Sequence, residues 1–366
     1  MEIPLENKNS IQPKIKAVDL FCGVGGLTYG LTKGGVEVVT GVDIDPACRF
    51  PFEANNYAEF VEQDVATLKS ETVEHWFGKA EFRLLTGCAP CQPFSTYSRS
   101  GRNKQYQEQW PLVLNFGRLV RDIQPELIAM ENVPQLVDHP VFQDFLDSLH
   151  GYAKWWSIVD CSSFGVPQTR KRLVLLASKI GSDNLELLPN EGDSATVRTT
   201  IKDLPPISAG ECHPADSLHA ASSLSMLNLQ RIKASKPGGT WRDWPSYLLA
   251  ACHKKSTGAT YPSVYGRMEW DKAAPTITTQ CFGYGNGRFG HPEQDRAISL
   301  REAAMLQTFP RDYAFAPEGG QIKFNKIGKL IGNAVPVRLG EVIAVQLVSH
   351  VQSLRPNREL IFNPIS

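Results

Sequence analysis

Long hydrophobic runs are missing from this 366-residue chain. No stretch approaches the roughly eighteen apolar residues of a membrane-spanning helix, and the N-terminal MEIPLENKNSIQPKIK is polar, without an apolar leader segment. A soluble, cytoplasmic protein with no membrane partner is expected. Net charge is missing too: 38 Lys and Arg balance 38 Asp and Glu. No global field draws such a chain to a polyanion, so a nucleic-acid site has to be a local patch. The eight cysteines lack disulfide-framework spacing and read as reduced thiols. Neither they nor the eight histidines show metal-ligand spacing, so no metal is expected. Internal repeats and low-complexity tracts are likewise lacking.

What is present is alternation. Strand-like runs at Ala17–Phe21, Val36–Val42, Phe60–Val61, Phe82–Thr86, Glu126–Met130, Trp155–Val159 and Arg172–Ala177 are separated by helical segments such as Leu27–Thr32, Pro46–Asn56, Thr72–Phe77, Leu112–Ile123 and Val141–Leu149. This pattern predicts an α/β fold with a parallel, doubly wound sheet. From about Ser182 to about Gln294 proline, glycine and serine rise and the pattern breaks, which suggests a smaller loop-rich domain. Helical periodicity returns at Ser299–Gln307 and Val337–Val351. The expected organisation is a flexible N-terminus over 1–14, a catalytic and cofactor-binding domain over 15–181, a recognition domain over 182–294, a return to the first domain over 295–352, and a tail over 353–366.

Several stretches carry chemistry. Phe21-x-Gly23-x-Gly25-Gly26 between a strand and a helix lets backbone N–H groups approach a ligand, and Asp43, twenty residues after Gly23, stands where an acid accepts ribose hydroxyls. Asp64 suits either an adenine amino group or a helix N-cap. The nonapeptide GCAPCQPFS, Gly87–Ser95, follows a buried strand and ends it in a stiff turn. Its Cys88-x-x-Cys91 spacing fits a redox pair, but Gln92-Pro93 bars the immediate helix such a motif starts, and no second pair exists for zinc. A single nucleophilic thiolate at Cys91 or an inert turn remains. Glu131 at the end of one strand, and Arg170 and Arg172 beside another, favour the nucleophile: a thiol, an acid and paired cations suit attack on an electron-poor ring that must also be protonated.

Phe21-Cys22-Gly23-Val24-Gly25-Gly26, Pro90-Cys91-Gln92, Glu131-Asn132-Val133, Gln168-x-Arg170-x-Arg172, Arg301-Glu302-Ala303-Ala304-x-Leu306-Gln307-x-Phe309-Pro310 and Gly332-Asn333-Ala334-Val335-Pro336 resemble, in order, the motif set of the cytosine-carbon-5 DNA methyltransferases. The resemblance runs from about Ala17 to Val348. It implies the mixed, doubly wound sheet of S-adenosylmethionine-dependent methyltransferases and a smaller target-recognition domain. It also implies methyl transfer from S-adenosyl-L-methionine to carbon 5 of a cytosine flipped from double-stranded DNA.

In that scheme Cys91 attacks carbon 6, Glu131 contacts ring nitrogen 3 and the amino group, Arg170 holds the carbonyl, and Arg172 organises a positive surrounding. Phe21, Gly23, Gly25, Asp43, Ile44, Asp64, Val65, Pro90, Asn333, Ala334 and Val335 are the implied cofactor residues. Ser95, Arg99, Arg102, Gln168 and Thr276 are the implied DNA contacts. Many relatives carry Trp where Ile44 stands. The basic Lys233, Lys236, Arg242, Lys254, Lys255, Arg267 and Arg288, interleaved with Trp241, Trp244, Tyr247, Tyr261, Tyr265 and Tyr284, point to DNA reading, with Phe282–Arg288 as a base-reading loop or a plain hairpin. Cys22 reads as packing, Cys88 as facing the core, and Trp155-Trp156 as packing on the sheet. A monomer with a cognate restriction endonuclease acting at the same site is expected. A tRNA methyltransferase of the same superfamily, a DNA-binding regulator and a nicotinamide dehydrogenase are the rival readings.

Overall fold

A computed structural model describes residues 13–90, 110–189, 195–255, 258 and 261–354. Seven strands form the main sheet: β1 (Ile15–Leu20), β2 (Glu37–Asp43), β3 (Glu59–Glu62), β4 (Phe82–Gly87), β5 (Leu127–Asn132), β6 (Ala153–Asp160) and, after the two-residue β7 (Gln168–Thr169), β8 (Lys171–Ser178). Their order is β3-β2-β1-β4-β5-β8-β6. The inner strands are buried on both faces, which explains their near-continuous apolar reading.

β8 runs antiparallel to both neighbours, so the sheet is mixed and the purely parallel reading fails there. The reason is chain length. Only ten residues separate β6 from β8, folded into the turn Cys161–Phe164 and β7, too few for the crossover helix that a parallel return needs. The reversal matters for the site, because it brings the start of β8, and with it Arg170 and Arg172, to the edge where β1, β4 and β5 end.

Helices cover both faces. α1 (Gly26–Lys33) and α2 (Arg49–Asn55) lie early in the chain, followed by α3 (Ser70–Phe77), α4 (Trp110–Ile123) and α5 (Pro140–Ser148). On one face α3, α4 and α5 bury Val73, Phe77, Phe116, Leu119 and Phe145 against the sheet. The smaller region holds α6 (Val197–Ile201), the hairpin β9 (Cys212–His213) and β10 (Asp216–Ala220), α7 (Met226–Ala234) and β11 (Ala274–Pro275). Its own core contains Ile232, Trp241, Trp244, Leu248 and Tyr284. Trp241, Trp244 and Tyr284 are therefore packing residues and not a DNA-facing stack. Arg267, 4 % exposed, binds the carbonyls of Ile232, Ser235, His291 and Gln294, which removes it from the expected DNA surface as well. Lys233, Lys236, Arg242, Lys254 and Lys255 stay exposed.

The chain then returns through α8 (Leu300–Leu306), α9 (Phe324–Asn333) and α10 (Val337–Ser353). α9 is an addition to the sequence reading. Phe324–Ser353 meets the length and apolarity of a membrane span, but Ala334, Val335 and Pro336 divide it into two helices and most of it is buried. α10 packs on α1 on the second face of the sheet, where backbones meet through glycine: a Cβ on Gly30 would stand 2.2 Å from the Val337 carbonyl oxygen.

Candidate active site

The carboxyl ends of β1, β2, β4 and β5 meet the start of β8 around a cavity of about 410 Å³. Open α/β sheets bind ligands at this edge. β1 is followed by Phe21, a non-glycine residue at φ 58°, a conformation that costs on the order of 1–3 kcal/mol and clusters at functional sites. Gly23 follows at φ 53° and donates its N–H to Asp43 Oδ2 at 2.9 Å, while Asp45 N–H donates to Asp43 Oδ1 at 2.9 Å. Asp43 thus fixes the glycine turn from the end of β2. Burial pushes its carboxyl upward against these two backbone hydrogen bonds. Gly25 does other work: it precedes α1 at φ 86°, and a Cβ there would lie 2.4 Å from Asn56 Nδ2.

Phe21, Gly23, Asp43, Ile44 and Pro90 line the cavity, and Asn333, Ala334 and Val335 close it from the far end of the chain. Ile44 is 65 % exposed, an apolar side chain held at an open mouth. Asp64 and Val65 lie outside the lining residues, and the N-cap reading of Asp64 is realised, since its Oδ1 accepts from Ala66 N at 2.9 Å. One wall residue was not singled out by sequence. Asp19 in β1 is fully buried, its Oδ2 accepts from Thr28 Oγ1 at 2.7 Å, and its Oδ1 has no partner among the described residues. Burial first, partly offset by Thr28, raises its carboxyl to about 7. An orphaned carboxylate oxygen in a pocket wall fits a ligand bearing a cationic group, as S-adenosylmethionine does. Cys22, buried beside the turn, has its thiol pushed well above the ordinary range by burial and by Asp19 and Asp43, consistent with packing.

Across the cavity Glu131, the penultimate residue of β5, is 2 % exposed. Arg172 Nε lies 2.8 Å from Glu131 Oε1 as an ion pair whose N–H is not aligned for a hydrogen bond, so Oε1 keeps no aligned donor among the described residues. Glu131 Oε2 accepts from Cys88 Sγ at 2.8 Å. Cys88 therefore faces the cavity and the acid, not the core as expected. Both expected arginines line the cavity, and they stand differently toward the acid. Arg170 is 3 % exposed, with Nη1 donating to the Ile277 carbonyl and Nη2 to those of Gly332 and Ala334. Burial, then Arg172, draws its guanidinium down to about 9, and it stays a cation at neutral pH. Arg172 is the arginine in contact with the acid.

Asn132, the middle residue of the Glu131-Asn132-Val133 motif, holds the backbone that leads to Cys91. Its Nδ2 donates to the Ala89 carbonyl at 3.0 Å, two residues before Cys91. Cys91, Ser95, Arg99 and Arg102 lie outside the described residues. The expected DNA contact of Gln168 is revised: it is fully buried, its Nε2 donates to Leu306 O and Gln307 Oε1, and its Oε1 accepts from Ile277 N. Thr276 keeps partial exposure and donates its hydroxyl to Thr169 O at 2.7 Å.

The family model for C-5 cytosine-specific DNA methylases matches residues 15–349, the whole of this architecture. The chain belongs to that family. As a C-5 cytosine-specific DNA methylase it is a DNA cytosine-5-methyltransferase, which agrees with a site built from an acid, two arginines and a glycine turn. It is 49 % identical over 351 residues to the type II methylase M.HgiDII of Herpetosiphon aurantiacus, covering 94 % of this chain and 98 % of the relative. It is 30 % identical over 336 residues to the type II methyltransferase M1.HphI of Haemophilus parahaemolyticus, covering 89 % and 85 %. Among solved structures, a candidate DNA modification methyltransferase encoded within an E. coli prophage shares the fold of this methylase, with a TM-score of 0.71 at 22 % identity over 93 % of this chain and all of that one.

Proposed function

We propose that the protein methylates carbon 5 of a cytosine swung out of double-stranded DNA, through a transient covalent bond to Cys91, as the modification enzyme of a type II restriction-modification system. The juxtaposition that carries this reading is Glu131 and Arg172 on one wall of a cavity whose other wall is the glycine turn and Asp43. Pro90, immediately before Cys91 in the chain, lines the same cavity.

Carbon 5 of cytosine is a weak nucleophile, and the ring has to be activated. The Cys91 thiolate adds to carbon 6, Glu131 gives a proton to ring nitrogen 3 and accepts from the amino group, and carbon 5 gains enamine character. Arg172 stabilises the ring carbonyl as charge develops, while Arg170 holds the surrounding backbone. The methyl donor S-adenosylmethionine supplies an electrophilic methyl group on a sulfonium sulfur. Phe21, Gly23, Asp43 and Ile44 would hold its nucleoside, and Asp19 and Asn333–Val335 its amino-acid end. Once carbon 5 has taken the methyl group and S-adenosylhomocysteine is left, a base accepts the carbon 5 proton, ring nitrogen 3 returns its proton to Glu131, and the thiolate departs, which releases 5-methylcytosine and restores Cys91 and Glu131. Extruding the base costs a few kcal/mol, which the cleft has to supply. The 49 % identity to a type II methylase supports a cognate endonuclease reading the same site.

Bisulfite sequencing of DNA from cells expressing the protein tests the proposal and maps the site: 5-methylcytosine in one sequence context is expected, and unmodified DNA beside methylated tRNA would overturn it. Cys91→Ser is expected to abolish methyl transfer while S-adenosylhomocysteine still binds within about threefold of wild type, a difference under 1 kcal/mol. Turnover comparable to wild type in that variant would contradict the assigned role.

A further inference from the structure

Gln168, Gln307 and Arg170 are fully or almost fully buried polar side chains that together link one residue of the recognition region to one residue of the cofactor wall. The recognition side is Ile277. Its N–H donates to Gln168 Oε1 at 3.0 Å and its carbonyl accepts from Arg170 Nη1 at 3.1 Å. The cofactor side is Ala334, whose carbonyl accepts from Gln307 Nε2 and from Arg170 Nη2, both at 3.3 Å. The two glutamines close the circuit, with Gln168 Nε2 donating to Gln307 Oε1 at 2.7 Å, and Gln307 Nε2 also donating to Ile331 O at 2.8 Å.

The segment carrying Ile277 is tied down at its other residues too. β11 pairs with β7 through Ala274–Gln168 and Pro275–Thr169, and Thr276 donates to Thr169 O. Past Ile277 the segment touches the cofactor wall directly: a Cβ on Gly332 would stand 2.3 Å from Thr278 C and Thr279 N. Gly332, Asn333, Ala334 and Val335 all line the cavity. Nothing soft lies between the recognition segment and that wall.

We infer that Gln168, Gln307 and Arg170 form a bridge that couples DNA binding to methyl-donor binding, so that DNA held by the recognition region firms the Gly332–Val335 wall and tightens the donor site. Gln168 and Gln307 are positioning residues in this scheme, since they reach the cavity only through the backbone they hold. The inference rests on the methyl-transfer reading above. The physical warrant is continuity: each amide of the Gln pair has both a donor and an acceptor engaged, and a shift of Ile277 cannot leave Ala334 unmoved without stranding a buried polar group. By linkage the effect is reciprocal, the donor analogue tightening DNA by the same factor.

The test measures S-adenosylhomocysteine dissociation constants with and without unmethylated phage DNA, in the full chain. Wild type is expected to bind at least about fivefold tighter when DNA is present, the lower end of ordinary coupling factors. Gln307→Met, close in volume but without the amide, is expected to bind the analogue alone within about threefold of wild type and to keep less than about twofold enhancement. Thr276→Val, at a partly exposed position, is expected to lose part of the enhancement, and it decides the matter should Gln307→Met fail to fold by melting. A wild type without enhancement, a folded Gln307→Met with the full enhancement, an equal loss of affinity with and without DNA, or a Thr276→Val indistinguishable from wild type where only that variant folds would each overturn the bridge. Absence of methyl transfer to the same DNA by wild type would instead count against the proposed function.

Discussion

Asp19 shows how a single buried residue trades stability for binding. Its carboxyl sits at about 7 in the fold against 3.8 in the open chain, raised by burial and only partly relieved by Thr28. The folded state therefore holds a proton that the unfolded state has released between those values, so Asp19's contribution to stability falls as pH rises from about 4 to about 7, and above that its full ionisation cost is present. Asp19→Asn is expected to raise the melting temperature at pH 8 by several degrees and to weaken S-adenosylhomocysteine binding by about tenfold or more, because a neutral amide no longer answers the ligand's ammonium. Calorimetry of both proteins checks the two signs together, and a variant that melts lower while binding normally would remove Asp19 from the site. The sequence did not point to this residue, since an aspartate inside an apolar strand carries no spacing signal. Only the lack of a partner for its Oδ1 among the described residues does.

At the scale of elements, the decisive contacts are backbone against backbone. α1 and α10 approach so closely that a Cβ on Gly30 would lie 2.2 Å from Val337 O and 2.7 Å from Glu341 N, and neither atom belongs to a side chain that can swing away. Gly30→Ala is expected to destabilise the protein by about 1–3 kcal/mol in urea unfolding, as overpacking does. Stability equal to wild type would mean that the two helices are not seated as described. The reversal of β8 belongs to the same scale. Residue chemistry marked Arg170 and Arg172 as candidates, but the parallel sheet read from alternation would have left the start of β8 at the wrong edge. The antiparallel register that sets Glu131 opposite Val174 brings them to the edge where β5 ends. Their division of labour followed from neighbours distant in sequence: carbonyls of Ile277, Gly332 and Ala334 engage Arg170, leaving Arg172 to Glu131.

At the scale of the whole molecule, 38 positive and 38 negative residues cancel, so DNA affinity has to arise from a cleft and not from a long-range field. Raising salt from about 50 to about 200 mM is expected to weaken DNA association at least about tenfold while leaving S-adenosylhomocysteine binding within a factor of about two, measured by titration at each salt concentration. A flat salt dependence would contradict a cleft that binds DNA through its phosphates. The sequence by itself determined the alternating α/β core, the glycine turn with Asp43, the acid at Glu131 and the return of the chain at its far end, because strand and helix periodicity and turn chemistry are local properties. Tertiary structure alone decided that Trp241, Trp244 and Arg267 belong inside the smaller region, that Cys88 meets Glu131, and that Gln168 is a brace and not a DNA contact. The physical reason is that burial and hydrogen-bond partnership depend on which distant backbone arrives beside a side chain, and no window of neighbouring residues contains that information.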